Sequence, residues 1–266
     1  MRFSLLLAFP LTVLVSSAAS AVVLRHDVAD SAYTIPAGEF PALVDLPQEG
    51  HGVLISDQWI VTAAHVTQFR PVHQVTINGK CHPVEKIVLH PGYKALSHVP
   101  TSGDLAPFMA IMAANDDIAL IKLSQPLHDV TPAALHRNSN EQGSLGKLYG
   151  RGATGNGLFG EIAHSPHRGT LRRAYNRVTS ADGQWLTYRF DSGSQGHPLE
   201  GMSGSGDSGG PLLIEVDGKV TLAGLTAWQF ATGDISSFRP GRYGQTSYMV
   251  RISHYAEWID SVIAAH

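Results

Sequence analysis

Ser208 lies in the run Gly-Ser-Gly-Asp-Ser-Gly-Gly-Pro at residues 204–211, where Gly206 and Gly209 bracket an Asp-Ser pair. Glycine reaches backbone angles that side chains forbid, so this loop can bend sharply and turn its N–H groups inward. A hydroxyl beside inward N–H groups is a nucleophile with donors waiting for a developing oxyanion, which is what acyl transfer needs. A Gly/Ser-rich turn leading into the apolar stretch 212–216 has the same composition. The loop alone does not separate the two.

A serine hydroxyl holds its proton at neutral pH, so it needs a base, and the base needs an orienting acid. Trp-Ile-Val-Thr-Ala-Ala-His-Val at 59–66 offers His65. Asn-Asp-Asp-Ile-Ala-Leu-Ile-Lys-Leu at 115–123 offers Asp117, with Asp116 as its rival. With these three segments in the order His, Asp, Ser, the chain resembles the trypsin/chymotrypsin family of serine endopeptidases from about residue 38 to the C-terminus. The resemblance implies Ser208 as nucleophile, His65 as general base and then acid, and Asp117 as the orienting carboxylate. The family sets that carboxylate directly before Ile-Ala-Leu, which favours Asp117 over Asp116. The implied oxyanion donors are the backbone N–H groups of Gly206 and Ser208.

A specificity pocket follows from the same resemblance. Met202, six residues before the serine, falls at its base, where a trypsin-like enzyme would carry Asp. Ala227-Trp228-Gln229 match the family's Ser-Trp-Gly, which lines the pocket and pairs with substrate backbone. Met202 cannot pair with Lys or Arg, Ala227 lacks the hydroxyl that usually supports the triad aspartate, and Gln229 replaces a pocket-opening glycine. The expected preference is for small or medium aliphatic side chains.

Residues 1–21 combine Arg2, an apolar run at 3–15 and small residues ending in Ala19-Ser20-Ala21, the three parts of a secretory signal. The apolar run is too short to span a bilayer. The expected destination is the medium or a periplasm, with no membrane anchor. Cleavage after Ala21 exposes Val22-Val23-Leu24. In the family a new Ile or Val ammonium pairs with the Asp before the catalytic serine, here Asp207. Two alternatives stand beside this: a plain lead-in with Asp207 partnered otherwise, and cleavage after Arg25.

The elements that must position these residues are short. Strand patterns fall at 38–46, 52–56, 59–62, 75–77, 80–84, 86–90 and 118–123, with the turn Asn78-Gly79 marking a hairpin. They recur at 148–150, 170–178, 185–190, 212–216, 220–226 and 248–251, with 150–169 as a Gly-rich loop. Apolar spacing predicts a helix over 253–264, with Ser253 as N-cap. The stretch 94–114 is a loop and a short helix at 105–114, read as a solvent-facing insertion, with the substrate cleft as the alternative. Such short strands argue for an all-β fold. The resemblance sharpens this to two six-stranded antiparallel β-barrels around a cleft: 22–135 carrying His65 and Asp117, and 136–266 carrying Ser208 and the C-terminal helix.

Net charge of −3 with scattered Lys and Arg gives no electrostatic footprint for nucleic acid. The expected partners are protein or peptide substrates; no inhibitor is legible. No cofactor is called for. His164-Ser-Pro-His167 has a metal-ligand spacing, but Pro166 and the lack of nearby acids or cysteines argue against a metal site. Cys81 is the only cysteine, so no internal disulfide forms, although the family usually has bridging cysteines where Val66 and Gly204 stand; a buried inert thiol is the expectation, with an intermolecular bridge or a reactive thiol as the alternatives. Two other classes compete. A binding protein on a protease scaffold would usually have lost a triad member. An α/β-hydrolase esterase reading of Gly-x-Ser-x-Gly needs a helix after the serine, where Gly-Gly-Pro leads into a strand.

Overall fold

The computed structural model describes residues 22–68, 70–96, 98–165 and 169–266. The leader at 1–21, and Pro166 and His167 of the His-x-x-His spacing, lie outside them. The first described element, β1 (Val22–Leu24), belongs with strands of the second half. Next come β2 (Leu43–Asp45), β3 (His51–Leu54), β4 (Trp59–Thr62), β5 (Gln74–Ile77) and β6 (Lys80–Leu89). After helix α1 (Ala106–Ala113), β7 (Ala119–Leu123) completes a closed antiparallel barrel in the order β2-β3-β4-β7-β6-β5. Every residue of β4 is buried, and in β7 only Lys122 is not. Their near-continuous apolar runs therefore carry the middle of the barrel, with Val53, Ile60, Leu120 and Ile121 withdrawn from solvent.

Asn78 and Gly79 take positive φ angles of 49° and 77°, as the two-residue hairpin between β5 and β6 requires. The stretches 80–84 and 86–90, separate in the sequence reading, join into one strand. A register shift between Val84 and Lys86 bends β6, so that its start pairs with β5 and its end with β7. Such a bulge supplies the bend a small barrel needs. Cys81 sits just past the hairpin turn with its side chain outward. The thiol is exposed, not buried as expected, because this end of β6 faces solvent.

The second half contains β8 (Leu145–Gly150), β9 (Thr154–Asn156), β10 (Gly160–Glu161), β11 (Arg172–Asp182), β12 (Trp185–Arg189), β13 (Gly201–Met202), β14 (Pro211–Val216), β15 (Lys219–Gln229) and β16 (Thr246–Arg251). The second barrel closes as β11-β12-β16-β15-β14-β8 around Leu148, Leu186, Phe190, Leu212, Ile214 and Met249. A separate four-stranded sheet has the order β10-β9-β1-β13. The Gly-rich stretch 150–169 is thus more than a loop, since β9 and β10 form a small hairpin within it. Its partner β1 runs parallel to β9 and antiparallel to β13. Val22, Val23 and Leu24 are all buried there.

The insertion at 94–114 does not face solvent throughout. Leu105 N–H donates to Gly233 O (2.9 Å) and Ile235 N–H to Gly103 O (3.0 Å), which joins it to a loop of the other barrel. At the C-terminal end of α1, the Ala113 carbonyl accepts from Trp185 Nε1 (2.8 Å) and Gln184 Nε2 (3.0 Å). Apolar contact explains this, because Leu105, Met109 and Met112 pack into a core shared with Trp185 and Trp228.

The chain ends on α2 (Ile252–Ala265), whose buried face carries Tyr255, Ile259 and Val262. Ser253 lies within its first turn instead of capping it, and donates to Glu141 Oε1. Arg251 grips the same carboxylate with Nε and Nη2, both at 2.9 Å. Glu141 is fully buried. Burial disfavours its charge, but Arg251 and Ser253 outweigh that and hold its pKa below the ordinary value. The pair ties the segment between the barrels to the end of β16. Arg251→Met should lower stability by about 3–5 kcal/mol, the cost of stranding a buried charge. Arg251→Met combined with Glu141→Leu should recover most of it; chemical denaturation measures both.

Candidate active site

β4 and β7 pair from Trp59↔Lys122 to Thr62↔Ala119, so the residues after Thr62 and before Ala119 emerge at one rim of the first barrel. His65 stands in the helical turn Ala64–Thr67 just past β4, and Asp117 two residues before β7. Asp117 Oδ1 accepts the His65 backbone N–H at 2.8 Å, and Oδ2 lies 2.7 Å from His65 Nδ1. Two contacts from one carboxylate fix both the place and the orientation of the ring. They favour the tautomer with its proton on Nδ1 and its lone pair on Nε2. The neighbouring Asp116 turns away: Tyr255 Oη donates to it at 2.6 Å, and His90 Nδ1 is 3.5 Å from it.

The Asp117 side chain is 3% exposed and that of His65 18%. Burial works against the imidazolium, but the Asp117 charge and hydrogen bond, helped by Glu49, outweigh it. The net effect raises the His65 pKa above its ordinary value.

Ser208 comes from the other barrel, on the loop before β14. Gly206 and Gly209 take φ angles of +86° and +76°. A Cβ at Gly209 would lie 2.1 Å from His51 O, so a side chain is excluded there twice over, by angle and by space. The first barrel holds this loop by its backbone: Gly50 N–H donates to Gly206 O (3.1 Å) and His51 N–H to Ser208 O (2.7 Å). From the second barrel, Gly209 N–H reaches Thr226 O at 2.8 Å. Among the described residues, the N–H groups of Gly206 and Ser208 make no backbone hydrogen bond. The loop thus brings Ser208 to the first-barrel rim where His65 and Asp117 stand. His65, Gly206 and Ser208 line one cavity of about 60 Å³, together with Gly50 and Val66. Val66 packs closely on Gly50, where an added Cβ would stand 3.0 Å from Val66 Cγ1.

A second cavity of about 230 Å³ opens on the other side of Ser208. Ala227, Trp228 and Gln229 line it, with Ser203, Ser205 and Thr226 adding hydroxyls. Met202, expected at its base, is not among them. Its side chain is fully buried in the second core beside Val23 and Leu148, and its neighbour Ser203 lines the cavity instead. Strand alternation is the reason, since consecutive residues point to opposite sides. The cavity's one carboxylate, Glu161, accepts from Ser205 N–H (3.0 Å) and Ser205 Oγ (2.7 Å).

Asp207 is buried behind the serine. Gly152 N–H donates to its Oδ1 at 2.7 Å, Gly204 N–H to its Oδ2 at 2.9 Å, and His51 Nε2 is 3.8 Å from Oδ1. Val22, its expected ion-pair partner, lies in β1, paired with Thr154 two residues beyond Gly152. His51 joins this cluster, and its only mark in the sequence is a lone imidazole in an otherwise apolar strand. Its Nδ1 is 2.9 Å from Asp45 Oδ1, and its Nε2 accepts the Arg151 N–H at 3.2 Å. Among the described residues no cluster of His, Cys, Asp or Glu could hold a metal ion, and no helix is long and apolar enough to cross a membrane.

The trypsin family matches this chain over residues 31–259. Among curated proteins, chymotrypsin-like elastase family member 1 of Canis lupus familiaris is 30% identical over 243 residues, covering 81% of each chain. The Felis catus protein of that name is 28% identical over 233 residues (81% of this chain, 79% of its own), and the Homo sapiens one 26% over 239 residues (81% of each). Two closed antiparallel barrels, a serine loop held between them and a match across most of its length make this chain a member of the trypsin family of serine proteases.

Proposed function

We propose that the chain is an exported endopeptidase that hydrolyses peptide bonds through an acyl-enzyme, with Ser208 as nucleophile, His65 as general base then acid, and Asp117 as orienting carboxylate. The observation that carries this reading is the two-point grip of Asp117 on His65, beside a cavity that His65 shares with Ser208. His65 takes the hydroxyl proton as the serine attacks the carbonyl, then gives it to the leaving amine. Asp117 stabilises the imidazolium that forms between the two steps. The N–H groups of Gly206 and Ser208 receive the negative charge developing on the carbonyl oxygen.

The larger cavity takes the side chain that precedes the scissile bond. Ala227, Trp228 and several hydroxyls line it, a lining that suits small or medium aliphatic groups. The elastase-named relatives agree with this, since a small pocket marks elastase specificity. Export follows from the signal-like leader at 1–21. Its removal after Ala21 makes Val22 the terminus, and the ammonium then joins the environment of Asp207. Support for that step lies in the burial of Val22 and its pairing next to the segment that binds Asp207.

Three outcomes test the reading. Because His65 must be neutral to act and its pKa is raised, kcat/KM on a peptide substrate should rise with pH through a value above 6.5. Asp117→Asn should move that limb to lower pH and cut kcat by about 10⁴, as this exchange does in the serine-protease triad. A wild-type limb below the ordinary histidine value would contradict the assignment. Finally, N-terminal sequencing of active protein should read Val-Val-Leu, and one added alanine before Val22 should lower kcat by about tenfold or more, the worth of a charge-assisted hydrogen bond. Full activity with the extension would remove Val22 from the mechanism.

A further inference from the structure

The larger cavity beside Ser208 lies between two stretches of backbone. One is 203–205; the other is the loop that carries Phe238 and Pro240. No disulfide joins them, since the single cysteine, Cys81, lies on the first barrel. Gln229, at the end of β15, touches both. Its Nε2 donates to Ser203 O at 2.8 Å, and its Oε1 accepts from Gly241 N–H at 3.0 Å.

Each end of this bridge is itself held. Ser203 N–H donates to Tyr188 Oη at 3.1 Å, and Ser203 Oγ lies within 3.2 Å of Tyr188 Oη and 3.3 Å of Ser247 Oγ. Gly241 is buried with φ +82°, and a Cβ there would stand 2.7 Å from Val23 Cγ2. Its backbone is therefore pressed between β1 and the Gln229 amide. The Gln229 carboxamide offers a donor and an acceptor at the tip of a long side chain; a carboxylate lacks the donor, and an apolar chain of similar length lacks both.

We propose that Gln229 is the specificity-setting clamp of this cavity: its amide holds the two walls at a fixed spacing, so that short side chains enter and long ones do not. The clamp does non-covalently what a disulfide across the pocket would do, and it joins the N-terminal strand to the pocket through the contact of Val23 with Gly241. The proposal rests on the reading of this cavity as the substrate's.

The test uses the full-length mature protein with Gln229→Met, Gln229→Glu and Gln229→Gly. Amide hydrogen exchange at Gly241 reads the clamp directly. Peptide nitroanilides with Ala, Val, Leu or Phe before the scissile bond read specificity. Gly241 should be protected in the wild type and in Gln229→Glu, whose carboxylate still accepts, and should lose protection by about tenfold in Gln229→Met, the equivalent of one hydrogen bond. The wild type should prefer Ala and Val. The Phe-to-Ala ratio of kcat/KM should rise by about tenfold in Gln229→Met and further in Gln229→Gly, through KM more than kcat. Wild-type preference in Gln229→Met would show that bulk alone sets the cavity and overturn the clamp, as would unchanged Gly241 exchange in that variant. If the wild type cleaves none of the series, the peptidase reading fails, while the exchange result still decides the clamp.

Discussion

The arrangement depends on two backbone hydrogen bonds between the barrels, from Gly50 N–H to Gly206 O and from His51 N–H to Ser208 O. Each barrel closes its own sheet and one apolar core runs between them, but neither closure nor apolar packing sets the register of the serine of one against the histidine of the other. These bonds do so, and they involve main chain, so they survive wide variation in side chains. They also set the requirement at Gly209, whose α-carbon comes so close to His51 O that no side chain fits. The serine loop is thus held from the first barrel before any catalytic contact is considered.

Behind that seam lies buried polar density. Asp207, His51 and the partly exposed Asp45 follow one another away from the loop, with Arg151 and Gly152 supplying backbone donors. A buried carboxylate unmatched by donors costs several kcal/mol. Here each Asp207 oxygen has an N–H within hydrogen-bond distance, which keeps the loop in one conformation. In this chain close packing of Val66 against Gly50 and the hydrogen bonds of Gln229 to Ser203 and Gly241 hold these segments together.

The two-barrel fold was legible because strand periodicity and three local motifs agree on it. In the sequence Asp117 separates from Asp116 only through the resemblance; in the fold it stands two residues before β7, at the rim β7 shares with β4, and contacts His65. Features that depend on long-range packing were not legible. Nothing local to residues 94–114 says that Leu105 and Met112 find their core on the other barrel. The inward turn of Met202 follows from strand alternation in β13, a two-residue strand too short to recognise by pattern. Residue type alone leads one to expect Cys81 buried, whereas its place next to a hairpin tip turns it outward. His51 gave one weak signal, a polar residue where the strand wants an apolar one.

The central claim is that Ser208 is an activated nucleophile, and the most direct measurement is reaction of the purified protein, beginning at Val22, with a fluorophosphonate, followed by peptide mapping. The account predicts a single adduct on Ser208 that disappears in folded His65→Ala. An adduct on another residue, or none on folded protein with that terminus, would contradict it.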